Sequence, residues 1–267
     1  MARLKTIDGE THQWHRQQAA RARTNSQWEA SLFHWNHAIE LQSDDPGQYW
    51  DRSWMKMYLA QWAGAAADLG QAVEGNPKSI DMHFHRLAAL LIADDVTGYR
   101  DARTQMIQRF EQPGDWFVAY LAARMAALAP GTPDEAAQML RFADTMLKTH
   151  STHPSSLHTV AIANYRAGRI ELAAEKAHAA LVAKPDWNAQ VLNHLVLALA
   201  YNKLHNATEA RRHYDEAMKW IETAQALPIA QNPQRLGLHS VDWLTCLVLR
   251  REAETELGIE PKVILPH

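Results

Sequence analysis

Residues 198–222 read ALAYNKLHNATEARRHYDEAMKWIE, and the alternation of small and large side chains here decides the fold. Ala210, Tyr214 and Ala217 stand at i, i+4 and i+7, one face of an α-helix. Twelve residues before Ala210 lies Ala198, which is one helix earlier, with His205-Asn206-Ala207 as the turn between them. Two helices joined by so short a turn form a hairpin. The small residues let the two backbones approach, and Tyr214 fills the space beside them.

The same triplet recurs upstream. The series Ser31, Ala65, Ala102, Ala136, Ala173, Ala210 has spacings of 34, 37, 34, 37 and 37 residues. Four residues on come Trp35, Leu69, Met106, Leu140, Ala177 and Tyr214; three further come Ala38, Ala72, Arg109, Ala143, Ala180 and Ala217. Small residues precede four of these anchors by twelve positions: Ala19, Ser53, Ala161 and Ala198. Each unit is therefore an A helix and a B helix. The turns read Thr24-Asn25-Ser26, Ala60-Gln61, Ala167-Gly168-Arg169 and His205-Asn206-Ala207. Prolines 46, 77, 113, 154, 185 and 228 fall near unit ends, where they stop one helix and start the next. The two middle units are irregular. The third has Ala88 and Ala89 in place of a small residue at the expected spacing, and the fourth has Arg124 at its small site.

These readings predict an all-α, right-handed solenoid of about six helical hairpins with a C-terminal capping helix. The expected boundaries are an N-terminal tail over 1–11, hairpins over 12–221, a loop over 222–239, the cap over 240–258 and a C-terminal tail over 259–267. Trp28, Trp35, Trp62 and Tyr214 are expected in the core. The chain has 267 residues, 47% hydrophobic and 21% charged, enough to bury a sizeable core. Its formal charge of −3 does not favour a nucleic-acid backbone or an anionic membrane as partner. One cysteine, Cys246, excludes an internal disulfide framework. Apolar runs such as Leu195 to Tyr201 are too short to span a bilayer, and the first residues lack the apolar core of a signal peptide. A soluble cytoplasmic protein is expected.

The pattern resembles the tetratricopeptide repeat, whose signature is W-x2-L-G-x2-Y, A-x3-F and P. The sixth unit fits through His194, Leu197, Ala198, Tyr201, Ala210, Tyr214 and Ala217. The fifth fits through Leu157, Val160, Ala161, Gly168, Ala173, Ala180 and Pro185, and the second through Ser53, Trp62, Ala65, Ala72 and Pro77. Five segments in order, WHRQQAARARTNSQWEASLFHW, YWDRSWMKMYLAQWAGAAADL, MAALAPGTPDE, ALAYNKLHNATEARRHYDEAMKWIE and DWLTCLVLRREAETELG, are similar to a bacterial repeat module found after kinase or WD-repeat domains. The resemblance implies partner binding in a concave groove lined by A helices. The groove residues it implies are Arg16, Arg23, Trp50, Trp54, Met57, Tyr58, His158, Tyr165, Arg166, Asn202 and Lys203, with burial in the core an equal reading for Trp50 and Trp54 because the register of the second unit can slip. Trp50 and Trp54 stand where relatives that grip a chaperone's C-terminal carboxylate need polar groups, so a different ligand is expected: an acidic protein or peptide segment with large apolar anchors.

The alternatives are a histidine-dependent metalloprotein and a helical-repeat enzyme. Fifteen histidines include the pairs His12/His15, His34/His37, His83/His85 and His150/His153. A spacing of three puts two imidazoles on one helix face, but a firm metal site needs further ligands and no HExxH occurs. Glu40 is the one carboxylate near His37 at helical spacing. Nucleophile elbows, phosphate-binding glycine loops and dinucleotide fingerprints are absent from the sequence. No cofactor, metal or catalytic residue is assigned, and the oligomeric state is left open. An RNA-reading solenoid would need recurrent polar readers and a basic groove, which these units do not repeat.

Overall fold

The computed structural model describes residues 2–148, 152–226 and 239–260, with side chains from residue 11 onward and, in the last B helix, as far as 224. Thirteen helices run through them. The A helices are α1 (Ala2–Thr24), α3 (Pro46–Tyr58), α5 (Ile80–Ile92), α7 (Trp116–Ala126), α9 (Pro154–Arg166) and α11 (Gln190–Lys203). The B helices are α2 (Trp28–Leu41), α4 (Trp62–Gly75), α6 (Val96–Arg109), α8 (Pro133–Leu147), α10 (Ile170–Ala183) and α12 (Ala207–Ala226), and α13 (Ser240–Glu256) follows them. The fold class is an all-α solenoid. The chain forms two compact units, one through Tyr99 and the other from Arg100 onward, the division falling inside α6.

Five of the six A–B turns share one device; the turn between α7 and α8 lacks it. Ser26, Ala60, Asp94, Gly168 and His205 have φ of 57°, 55°, 64°, 74° and 56°. In each turn the next residue's N–H reaches back to a carbonyl five residues earlier, as from Gln27 to Ala22, Gln61 to Lys56 and Asn206 to Tyr201. This is the left-handed helix end that suits glycine, and only Gly168 of the five is one. A side chain there costs about 1 kcal/mol. Ala60→Gly is accordingly expected to raise stability by several tenths to about 1 kcal/mol in urea titration, the relieved strain outweighing the entropy glycine adds to the unfolded chain.

Each B helix starts three residues before its anchor, at Trp28, Trp62, Val96, Pro133, Ile170 and Ala207. This corrects the third unit: its anchor is Tyr99, five residues after left-handed Asp94, and not Ala102. A large residue holds the site that is small elsewhere, which disguised the register. Helix starts are thus spaced 34, 34, 37, 37 and 37 residues apart. Small anchors lie at the hairpin contacts. Ala19, Ser31, Ser53, Ala65, Ala161, Ala173, Ala198 and Ala210 are fully buried, and the Ser31 hydroxyl donates to the Ala19 carbonyl at 2.8 Å. Such contacts allow helix axes within about 8–10 Å. Trp28, Trp35 and Tyr214 are buried as expected, whereas Trp62, which opens α4, is half-buried.

Several expected boundaries move. The N-terminal tail over 1–11 is helical from Ala2, α1 running through Asp8-Gly9 with no proline to stop it. The expected loop over 222–239 begins late: α12 continues to Ala226 through Glu222, Thr223 and Ala224, with Ile221 and Ala224 buried. Residues 227–238 lie outside the described residues, as do 261–267 of the expected C-terminal tail. The cap ends as a helix at Glu256, and Gly258 (φ 63°) closes it.

Candidate functional site

In the first unit, α1 and α3 bring Arg16, Arg23, Trp50, Trp54, Met57 and Tyr58 to neighbouring turns. Trp54 and Met57 are buried, so these two are core residues rather than groove residues. Trp50 and Tyr58 are half-buried. Trp50 meets Trp54 edge-on at 5.6 Å and His85 of α5 at 5.0 Å, and Trp28 meets Tyr58 at 4.4 Å. Arg16 and Arg23 pair with Asp45 at 3.4 Å and Asp51 at 3.2 Å. Both guanidiniums keep more than 40% of their side-chain surface exposed. Burial holds the Asp51 carboxyl above the usual carboxylate range, with Arg23 opposing. The hairpin beneath is tied by Asp68 of α4, buried, which takes Arg52 at 2.6 Å and Lys56 at 2.8 Å.

The second unit departs from the sequence reading. His158 (1% exposed) and Tyr165 are buried. Arg166 donates to the carbonyls of Ala127 (2.8 Å) and Leu128 (3.0 Å) and forms a two-point ion pair with Glu252 of α13, one arm at 2.6 Å. Asn202 donates to the Glu256 carbonyl at 3.1 Å, and Lys203 pairs with the Glu256 carboxylate at 2.6 Å. Arg124, the residue that broke the fourth unit's pattern, is buried and reaches Asp242 at 2.7 Å and Thr245 at 2.9 Å. These cations are therefore already engaged, and α13 does more than close the last hairpin. It packs chiefly on α11 and crosses toward α9 and α7.

The histidines of these spaced pairs find separate partners, one of them across helices. His15 and His34 face each other through Nδ1 atoms 2.9 Å apart, and His37 pairs with Glu40 at 3.0 Å. His83 and His85 bond the carbonyls of Pro77 (3.1 Å) and Asp81 (2.7 Å). His153 caps α9, and His150 lies outside the described residues. Sequence reasoning missed a second pair of the same kind: His194 and His213, Nδ1 to Nδ1 at 3.0 Å, with Tyr201 stacked on His213. The signal was there, since His15/His34 and His194/His213 are both nineteen residues apart and flank equivalent anchors. Among the described residues no group of three or more His, Cys, Asp or Glu converges on a possible metal position. None of their helices is long and apolar enough to cross a membrane.

No family model matches the chain, and no curated protein sequence does. Solved structures do. A tetratricopeptide repeat protein from Parabacteroides merdae superposes with a TM-score of 0.57 at 12% identity, over 96% of each chain. PilW, a type IV pilus biogenesis factor, superposes with a TM-score of 0.52 at 12% identity, over 77% of this chain and 91% of its own. Paired helices, a repeat of 34 to 37 residues, small anchors at the hairpin contacts and these two superpositions agree: the chain has the tetratricopeptide-repeat fold.

Proposed function

We propose that the protein is a non-catalytic interaction scaffold whose first unit grips a protein or peptide segment on the A-helix face of α1 and α3. The supporting observation is the exposed pair of guanidiniums, Arg16 and Arg23, beside the half-buried rings of Trp50 and Tyr58. Exposed ion pairs such as Arg23–Asp51 hold weakly, about 0–1 kcal/mol, so a partner carboxylate can take over the guanidinium at little cost. Aromatic and arginine side chains are also the residues that usually anchor interfaces. The partner is an acidic segment with apolar anchors rather than nucleic acid or membrane. A cytoplasmic setting, within a larger signalling or regulatory assembly, fits the single buried cysteine and the likeness of five ordered segments to a multidomain module.

A photo-cross-linking residue at position 50 tests this, with one at Val182, 77% exposed on α10, as control. Expected are specific adducts at 50, none at 182, and loss of the adducts in the Arg16→Glu, Arg23→Glu variant. Equal labelling at the two positions, or adducts indifferent to the charge reversal, would remove the proposal.

A further inference from the structure

Asp242, Thr245, Leu249, Glu252 and Glu256 are spaced 3, 4, 3 and 4 residues apart, a single stripe along α13. The stripe meets successive A helices in order. Asp242 and Thr245 take Arg124 of α7, Glu252 takes Arg166 of α9, and Glu256 takes Lys203 and Asn202 of α11. Fourteen residues of helix span about 21 Å, which matches three helices placed about 10 Å apart. Arg166 and Lys203 occupy the same place in their repeats, five residues after Ala161 and Ala198. One repeat position therefore supplies two of the three cations, and the third, Arg124, stands at the small site of its own hairpin.

α13 buries apolar residues, among them Val241, Leu244, Cys246 and Leu249, together with charged pairs. The Arg124 and Arg166 side chains are each 2% exposed, yet they face carboxylates. Buried ion pairs add little stability over apolar packing of equal volume. They do keep both surfaces soluble if the surfaces part. Contacts that open and close are more polar than permanent ones.

We propose that the α7–α9–α11 face is a binding site for an acidic amphipathic helix of a partner protein, occupied in the free chain by α13 and vacated by it when the partner helix docks. The partner's signature is a carboxylate, an apolar residue and two further carboxylates along one helix face, as α13 displays with Asp242, Leu249, Glu252 and Glu256. This deepens the interaction reading and rests on it. The cross-linking at position 50 does not involve α13, so the two fail separately.

The chain contains its own reporter. Cys246, the one cysteine, is fully buried on α13, and burial pushes its thiol up to about 12, so it stays unreactive while α13 is seated. The probe is a synthetic peptide of residues 240–257 carrying Cys246→Ser, added in excess to the full chain at pH 8 with a thiol reagent. Trapping of the open state is expected to speed Cys246 labelling by about tenfold or more, saturably, with helical circular dichroism retained. A peptide with Asp242→Lys, Glu252→Lys and Glu256→Lys is expected to have no effect. In the full chain, Glu252→Gln is expected to speed labelling without peptide while the helical signal is kept. Labelling at the rate of global unfolding, with and without peptide, would overturn the proposal, as would collapse of the Glu252→Gln variant. Dimers appearing on size exclusion as labelling rises would also overturn it, by assigning the face to a second copy's α13.

Discussion

Arg166→Ala is expected to lower the stability of the second unit by about 3 kcal/mol, the size of effect seen when one partner of a buried ion pair is removed. The arginine serves four acceptors: both oxygens of Glu252 and the carbonyls of Ala127 and Leu128 at the end of α7. Truncation strands a carboxylate that is 17% exposed and leaves the two carbonyls without this donor. Arg166→Lys should recover only a minor part, since a single ammonium cannot present the planar fork that four acceptors require. Urea titration is the measurement, with a midpoint fall of about 1 M or more expected for the alanine variant. Unchanged stability would overturn the assignment of Arg166 to a buried ion pair with Glu252.

Acidification from pH 6.5 to 4 should destabilise the second unit through its buried histidines. Burial holds His158 in the neutral form, the nearby Arg124 charge adds to the effect, and the bond to Asn193 opposes it. Its pKa falls from 6.5 to about 3. His213 is lowered to about 4, mainly by burial and then by Arg212, His194 and His178. Both folded values lie below the unfolded one, so the unfolded chain binds more protons in this window. The histidines' contribution is complete above pH 6.5 and declines as the pH falls toward the folded values. By pH 4 His158 alone accounts for about 3 kcal/mol, and His213 acts in the same direction. The His194–His213 contact adds a geometric reason, since two Nδ1 atoms 3.0 Å apart accommodate one proton and not two. Urea midpoints at pH 7, 6, 5 and 4 should fall less steeply for His158→Gln than for wild type. Parallel curves would refute the assignment, because carboxylate protonation affects both proteins alike.

The helical hairpins were legible because their signal is local and repeated. Ala210, Tyr214 and Ala217 mark a helix face without knowledge of any neighbour, and a left-handed turn residue stands five positions before five of the six anchors. Where the local rule failed it did so for a stated reason. Tyr99 fills a position that small residues hold elsewhere, and Trp62 begins its helix where one side stays open to solvent. The groove residues were legible only as repeat positions. Arg16 and Arg23 remain exposed at theirs, but Trp54 and Met57 turn into the core because α3 packs on both sides.

Sequence alone determined the solenoid class, the number of A–B pairs and the cations at Arg166 and Lys203, because each follows from spacing along a single helix or a single repeat. Tertiary structure alone decided what those cations face. Asp242, Glu252 and Glu256 lie 118, 86 and 53 residues away from their partners, and no periodicity links segments so far apart. Their meeting depends on α13 folding back over three A helices, where charge pairing in a water-poor contact selects one register.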